Sequence, residues 1–293
     1  MRWLWIGLAA ASFPASASGA TVEEGRILVV VADRAAPAFQ EAMQGLARGL
    51  APRAIVQVAP AKLDDALKSA GGPPVRVVVA MGAEARAALA KAKVDLPVVS
   101  TMLLLADAAN EAGPPLVNPV GSVYLDLEIP QIARELGRLF PARKRLGLIA
   151  GPASQTAPNR AALEQLERDG YSVQVADCPR RADLSNALRT LKGKVDMVLC
   201  LPDPSLFDSR TIPVLLRSAL EIDLAVIGFS PALVRAGAMA GVFPDYGEIG
   251  MQTAAMVTRA LASPAASDVG EETPRKVASA GNSTVMRLLG WGQ

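Results

Sequence analysis

The stretch most suggestive of covalent chemistry is Gly228–Ala232, which reads Gly-Phe-Ser-Pro-Ala between a predicted strand and a predicted helix. It approximates the G-x-S-x-G turn on which α/β hydrolases hold a nucleophilic serine. Such a serine needs a base to accept its proton, normally a histidine, and this chain contains no histidine. Pro231 also removes a backbone N–H that an oxyanion would need. We therefore interpret Ser230 as the N-cap of the next helix, and we predict no catalytic residue.

Acidic side chains at strand ends are better suited to non-covalent binding. Asp203 lies between two prolines directly after a predicted strand, where a fixed carboxylate could receive an ammonium group. The alternative is an aspartate that only caps the following helix. Asp33 closes the first predicted strand of the chain and carries the same two interpretations. Asp245 and Tyr246 precede a long predicted helix, where the aspartate could cap the helix and the ring could lie at a domain boundary.

The turn Met81-Gly82-Ala83-Glu84 contains a single glycine, so the dinucleotide-binding fingerprint is absent, and the chain has no G-x-x-x-x-G-K-[ST] phosphate loop. Gly82 could still let a ligand approach the N-terminus of the following helix, where free N–H groups favour an anion. The alternative is an ordinary turn glycine.

Composition excludes several classes of function. The chain has 293 residues, 51% of them apolar, and a formal net charge of +2 without a long Lys/Arg cluster, so we expect no nucleic-acid partner. The missing histidine removes the commonest transition-metal ligand, and we predict no metal and no cofactor. The length suits two α/β lobes, each with its own core.

The N-terminus resembles a secretory signal peptide. Residues 1–20 contain one arginine, a short apolar run and small residues that suit cleavage after Ala17 or Ala20. The alternatives are a membrane anchor and a buried first helix, but the apolar run is too short to span a bilayer. No cysteine follows the cleavage region, so we expect no lipid anchor. These features predict a periplasmic protein.

The elements that must position these residues follow a repeated plan. Val75–Met102 reads as strand, helix and strand, and Val195–Phe229 repeats that order. Alternating strands and helices imply parallel sheets covered on both faces, with ligands bound beyond the carboxyl ends of the strands. The predicted domains are a signal peptide at 1–20, lobe 1 at 21–122 plus 245–280, lobe 2 at 123–244, and a C-terminal crossing segment at 281–293. Val117–Val123 is the candidate for the first crossing segment.

The two cysteines, Cys178 and Cys200, follow strands that should flank a common neighbour in a flavodoxin-like strand order. Two strand spacings are about 9–10 Å, beyond the roughly 7 Å that a disulfide can bridge between Cα atoms. We predict two buried free thiols.

Several blocks resemble, in the same order, the ABC-transporter substrate-binding proteins that include tryptophan-type binders. The blocks are Met81–Met102, Asn118–Gly121, Leu201–Asp203, Leu224–Ser230, Val234–Ala238, Asp245–Gly250, Asn282 and Leu289–Gly290. The resemblance covers most of the chain and implies a type I periplasmic-binding-protein architecture. In that architecture two doubly wound, flavodoxin-like parallel sheets form two lobes, joined by a three-segment hinge, with a ligand in the cleft.

Matched to this chain, the resemblance implies cleft residues from both lobes. With the apolar residues that we expect beside them, the predicted ligand-binding set is Asp33, Met81, Gly82, Ala83, Ser100, Thr101, Asp203, Phe229, Ser230 and Tyr246. Met102 belongs to the same apolar wall. Ala83-Glu84 and Gly151-Pro152-Ala153 depart from the family pattern.

The sequence thus predicts a monomeric periplasmic solute-binding protein of an ABC importer, with an amino acid or a related small molecule as ligand and an ABC permease as partner. The alternative is an exported ligand-sensing module for a membrane receptor or sensor kinase. An exported α/β hydrolase is disfavoured because the chain lacks histidine.

Overall fold

The computed structural model describes residues 25–68, 73–109, 113–262 and 270–291. The predicted signal peptide lies outside these residues. Within them, two six-stranded sheets form two α/β lobes. A search of the described helices finds none with the length and apolar character needed to cross a membrane.

The first lobe is built on a wholly parallel sheet in the order β11-β5-β4-β3-β1-β2. Its strands are β1 (Arg26–Val31), β2 (Ile55–Val58), β3 (Val75–Met81), β4 (Val98–Leu103), β5 (Pro119–Tyr124) and β11 (Gly270–Glu272). Its helices are α1 (Pro37–Leu50), α2 (Leu63–Lys68), α3 (Ala83–Lys91), α4 (Leu105–Ala109) and α10 (Tyr246–Ala262).

The second lobe repeats this plan in the order β12-β10-β9-β8-β6-β7, with β12 antiparallel to β10 and the other pairs parallel. Its strands are β6 (Arg145–Ala150), β7 (Ser172–Asp177), β8 (Met197–Cys200), β9 (Ala225–Gly228), β10 (Ala240–Pro244) and β12 (Val277–Gly281). Its helices are α5 (Ile129–Leu139), α6 (Ala157–Arg168), α7 (Leu184–Leu191), α8 (Thr211–Leu220), α9 (Pro231–Ala236) and α11 (Ser283–Leu288).

The central strands are apolar on both faces because helices cover both faces of each sheet. In β1, Ile27 and Val29 contribute to the core shared with α1 and α10, while Leu28 and Val30 contribute to the core on the opposite face. This alternation follows from the two-residue period of a strand. The predicted fold class, two doubly wound parallel sheets, is confirmed.

The chain crosses between the lobes three times: between β5 and α5, between β10 and α10, and between β11 and β12. The prediction that Val117–Val123 forms the first crossing is wrong, because Pro119–Tyr124 is β5 and pairs with β4. The structure also differs from the predicted lobe boundary at residue 280, since β12 lies in the second sheet. Val285 and Trp291, which the sequence assigned to a crossing segment, pack against the second lobe's core.

The predicted buried free thiols are confirmed for Cys178 and Cys200. Cys178 directly follows β7 and Cys200 ends β8, and β6 lies between these two strands in the sheet. Burial raises the pKa of both thiols, that of Cys200 to about 12.

Candidate functional site

A cavity of about 270 Å³ lies between the lobes, where the carboxyl ends of the two sheets meet. We call it the interlobe cavity. It is lined by Met102, Leu103, Leu104, Asp107, Leu125, Pro202, Phe229, Ser230, Pro244 and Tyr246. These residues end or follow β4, β5, β8, β9 and β10, so both lobes and the first crossing segment contribute to one site. Ligands of doubly wound sheets bind at this edge.

Two aromatic rings from the predicted set form part of the wall. Phe229 follows β9 and packs against Phe207, with ring centroids 5.8 Å apart. Tyr246 begins α10 and stacks on Phe243, with centroids 6.3 Å apart and planes 9° from parallel. Each ring is therefore held by a second ring, and its other surface can receive an apolar solute.

Tyr246 also brings a hydroxyl group to the cavity. Burial raises its pKa to about 12, and the neighbouring charge of Glu41 acts in the same direction. The phenol therefore stays protonated at neutral pH. Within the described residues its hydroxyl makes no hydrogen bond, so it can donate one to a ligand.

Ser230 has the capping role that the sequence predicts. Its Oγ accepts a hydrogen bond from the Leu233 N–H at 3.3 Å, at the start of α9. The hydroxyl proton is not used in that bond, and Ser230 lines the interlobe cavity. The side chain can thus donate to a ligand while it caps the helix.

Three residues predicted from the first lobe lie in its interior and do not line the interlobe cavity. Met81 is 0% exposed in the core. The Ser100 hydroxyl accepts a hydrogen bond from the Arg86 guanidinium at 2.9 Å. The Thr101 and Thr253 hydroxyls are hydrogen-bonded to each other, also at 2.9 Å. The reason is that Met81 is the last residue of β3, and that Ser100 and Thr101 lie inside β4, which continues to Leu103.

Gly82 and Ala83 also lie away from the interlobe cavity. The Gly82 N–H donates to the Thr101 carbonyl at 2.8 Å, so it is not free for a ligand. Ala83 lines a separate cavity of about 370 Å³ beside α3, which we call the α3 cavity.

The two predicted carboxylates are engaged within their own lobes. Asp33 is exposed and accepts hydrogen bonds from two backbone N–H groups at the start of the next helix. Asp203 is 3% exposed and accepts from the Ser205 N–H, the Ser205 hydroxyl and the Ala153 N–H at 2.9, 2.5 and 3.1 Å. These bonds join two loops of the second lobe, and neither carboxylate lines the interlobe cavity.

The carboxylate that does line the interlobe cavity is Asp107, which the sequence analysis missed. It lies in α4, a helix of five residues. Its Oδ2 accepts from the Leu104 N–H at 3.3 Å. The sequence signal for α4 was an acidic residue in its first turn, Asp107. A helix of five residues has almost no apolar periodicity, so this signal was too weak to predict it.

Asp126 lies near Asp107 and completes an acidic region at this end of the first lobe. Its Oδ2 accepts from the Leu105 N–H at 2.7 Å. Burial raises the pKa of Asp126, and the charge of Asp107 adds to that effect. Asp107 and Asp126 thus place two carboxyl groups close together at this end of the first lobe.

Comparison with protein families decides the classification. The family described as "ABC transporter substrate binding protein" matches residues 36–290, which is most of the chain. The chain belongs to this family. The family predicted from the sequence is thus confirmed, and its members bind solutes.

Solved structures with the same fold support the architecture of this ABC transporter substrate-binding protein. The ligand-free, open structure of a substrate binding protein with adhesive properties from Clostridium difficile has a TM-score of 0.63 at 18% identity, covering 92% of this chain and 96% of that one. An ABC domain in complex with L-Trp from Streptococcus pneumonia has a TM-score of 0.54 at 20% identity, covering 91% and 95%. A periplasmic ribose ABC transporter from Conexibacter woesei has a TM-score of 0.54 at 16% identity, covering 92% and 96%.

No curated protein matches the chain. At these identities the solved structures show the type I periplasmic-binding-protein fold and leave the solute to be argued from the cavity itself.

Proposed function

We propose that this protein binds a small solute in the interlobe cavity and closes its two lobes around it, without a covalent step. The observation that carries the proposal is the position of the cavity, at the carboxyl ends of both sheets and lined by both lobes. A solute that contacts both walls stabilises the closed arrangement over the open one, because it gains contacts from both lobes only there.

The hinge is connected directly to this site. Leu125 precedes α5 in the first crossing, Tyr246 follows the second crossing, and both line the interlobe cavity. The Asp245 N–H donates to the Lys276 carbonyl at 3.0 Å, which ties the second crossing to the third. A solute against Tyr246 therefore acts on the segments that must bend.

The cellular role that fits this activity is delivery of the solute to an ABC permease, by a monomer that reaches the periplasm after cleavage of residues 1–20. N-terminal sequencing of the protein from a periplasmic extract tests the export step, and a new N-terminus after Ala17 or Ala20 is expected. A full-length protein retained in the cytoplasmic fraction would contradict it.

Binding is tested by thermal unfolding of the purified protein against a metabolite library. A solute present at 100 times its Kd should add about 2.7 kcal/mol to the free energy of unfolding. Phe229→Ala and Tyr246→Ala should remove most of the rise in Tm, because they remove the aromatic wall. Asp64→Asn, at an exposed carboxylate of α2, serves as the matched control outside the cavity and should keep the full rise. If no library member raises the Tm of the wild-type protein, the proposal fails.

A further inference from the structure

Asp107 is the charged residue of the interlobe cavity. The rest of its described lining is apolar, apart from the Ser230 and Tyr246 hydroxyls. Among the described lining residues there is no lysine or arginine that could pair with an anionic group of a solute. The charge of the site is therefore negative on the side of the first lobe.

The local geometry leaves part of this carboxylate available. Its Oδ2 accepts the long bond from Leu104, and its Oδ1 has no hydrogen-bond partner within the described residues. A capping role for α4 needs only an acceptor oxygen, which a neutral asparagine also supplies. An ionised group beside an apolar cavity costs free energy unless an opposite charge compensates it. The carboxyl group of Asp126 lies close to Asp107, while the cations Arg86 and Lys91 line the adjoining α3 cavity.

From this arrangement we infer that the solute of the interlobe cavity carries a cationic amine on an apolar or aromatic body, and that Asp107 is the residue that selects the amine. The inference rests on the proposed function, because it names the chemical class of ligand for the same cavity.

The aromatic residues that line the cavity agree with this class of ligand. Phe229 and Tyr246 offer ring faces to an apolar body, and aromatic faces also attract cations. The α3 cavity, which shares Leu103 and Asp107, is lined by Arg86 and Lys91. Arg86 and Lys91 lie outside the described lining of the interlobe cavity, in which Asp107 is the charged residue.

Four probes of similar shape separate charge from size: 2-phenylethylamine as a cation, 2-phenylethanol as a neutral molecule, 3-phenylpropionate as an anion, and L-phenylalanine as a zwitterion. Isothermal titration calorimetry on the wild-type protein should show that the amine binds more tightly than the alcohol by about tenfold or more, as a charge-assisted hydrogen bond implies. The propionate should bind least.

Asp107→Asn tests the residue itself, because it keeps an acceptor for the Leu104 N–H and removes the charge. We expect the affinity for 2-phenylethylamine to fall by about tenfold or more and to become similar to that for 2-phenylethanol. Asp64→Asn, which removes an exposed carboxylate of the same lobe outside the cavity, should leave both affinities unchanged. Circular dichroism and Tm of the two variants show whether each is folded.

The outcomes separate this inference from the proposed function. If Asp107→Asn leaves the preference for the amine unchanged, or if 3-phenylpropionate binds best, the inference is overturned. In that case the function still stands if Tyr246→Ala abolishes binding of the same probe. If none of the four probes binds, the charge of the library member that raises the Tm decides: a cation supports the role of Asp107, whereas an anion or a neutral molecule overturns it. If nothing binds, both proposals fail.

Discussion

Gly82 connects β3 to α3 through a backbone conformation that side chains resist. Its φ is +96° and its ψ is 159°, in a region populated almost only by glycine. A Cβ there would also lie 2.9 Å from the Ala32 Cβ and 3.1 Å from the Phe39 ring. The glycine that the sequence suggested as a ligand contact is thus required by local packing.

Gly82→Ala should therefore lower the free energy of unfolding by about 2 kcal/mol or more, since it combines backbone strain with overpacking. Gly193→Ala is the matched control, because Gly193 also has a positive φ, of +74°, but has no atom within 4 Å of an added Cβ. Urea denaturation of both variants should show a clearly larger loss at Gly82. Equal losses would mean that packing around Gly82 contributes nothing.

The buried thiol of Cys200 should make the free energy of unfolding decrease at alkaline pH. Its pKa rises from an ordinary 9.0 to about 12 because the thiol is buried. Below pH 9 the thiol is protonated in both states. Between pH 9 and 12 the unfolded chain loses this proton and the folded chain keeps it, so stability falls as pH rises, by up to about 1.4 kcal/mol per pH unit.

Cys200→Ala should reduce that slope, although it lowers stability at neutral pH by leaving a small cavity. Unfolding by urea at several pH values between 8 and 11 provides the comparison. Tyr246→Phe shows how much of the remaining slope comes from the other group whose pKa is raised to about 12. A slope unchanged in Cys200→Ala would contradict the assignment to this thiol.

Site residues were predictable where the signal is local. The capping role of Ser230 follows from a strand, a serine and a proline in sequence, and the structure has it. Met81 and Thr101 were expected at the cleft, but Met81 ends β3 and Thr101 lies within β4, so both side chains are buried in the first lobe. Asp107 was missed because tertiary contacts, more than propensity, stabilise its short helix.

At the scale of elements, α10 crosses back to the first lobe and packs on α1 through glycines. An added Cβ at Gly250 would meet the Ala42 carbonyl, and one at Gly45 would meet the Gly247 carbonyl. The two helices thus approach to backbone contact. This close contact holds α10, and with it Tyr246, against the first lobe.

Gly250→Ala should separate the two helices and lower the free energy of unfolding by about 1–3 kcal/mol. Because Tyr246 begins α10, we also expect weaker solute binding in this variant. Gly113→Ala is the control, as no atom of the described residues lies within 4 Å of its added Cβ and its φ is not positive. Calorimetric Tm values and titrations with one stabilising solute check both effects. A Gly250→Ala protein that matches the control would disprove the close contact.

The buried side-chain amide of Gln252 makes three hydrogen bonds at the third crossing segment. Gln252 is 1% exposed, and its Nε2 donates to the Glu272 carboxylate and the Thr273 carbonyl, both at 3.1 Å. Its Oε1 accepts from the Arg275 N–H at 3.0 Å. From the other lobe, the Gln131 Nε2 donates to the Pro274 carbonyl at 2.8 Å. Side chains from both lobes therefore form hydrogen bonds to the segment between β11 and β12.

Gln252→Ala should leave the Arg275 N–H and the Thr273 carbonyl without their partners, at a cost of about 2 kcal/mol or more. Hydrogen exchange should show the Arg275 amide losing protection. Gln165→Ala removes an exposed glutamine that bonds only to neighbours on its own helix, and it should change stability by less than about 0.5 kcal/mol. Unchanged protection at Arg275 would show that Gln252 does not hold the segment.

Elements with their own apolar pattern were predictable, and those defined by tertiary pairing were not. The β3-α3-β4 unit and its copy at β8-α8-β9 carry long buried runs in the sequence. β12 reads Val-Ala-Ser-Ala-Gly and is a strand because it pairs antiparallel with β10. β11 has three residues and depends on β5 in the same way. Such strands have little signal until their neighbours are known.

On the scale of the whole molecule, the two lobes differ in how firmly their cleft edges are fixed. On the second lobe, Asp203 ties the loop after β8 to the loop after β6, and Arg181 donates to the Pro204 and Ser205 carbonyls at 2.9 and 2.7 Å. On the first lobe, the corresponding wall is formed by Leu104 and the short helix α4. We therefore expect the second lobe to present a rigid wall to the solute.

Closure of the lobes predicts a smaller molecule in solution when the cavity is filled. Small-angle X-ray scattering should show a decrease in the radius of gyration on addition of any solute that raises the Tm, because hinge bending brings the lobes together. Tyr246→Ala should lose most of this decrease at the same solute concentration, since its ring connects the cavity to the second crossing. Asp64→Asn, at an exposed carboxylate outside the cavity, should retain it. A solute that stabilises the wild-type protein without changing its radius of gyration would mean that binding occurs within one lobe and that the crossings do not act as a hinge.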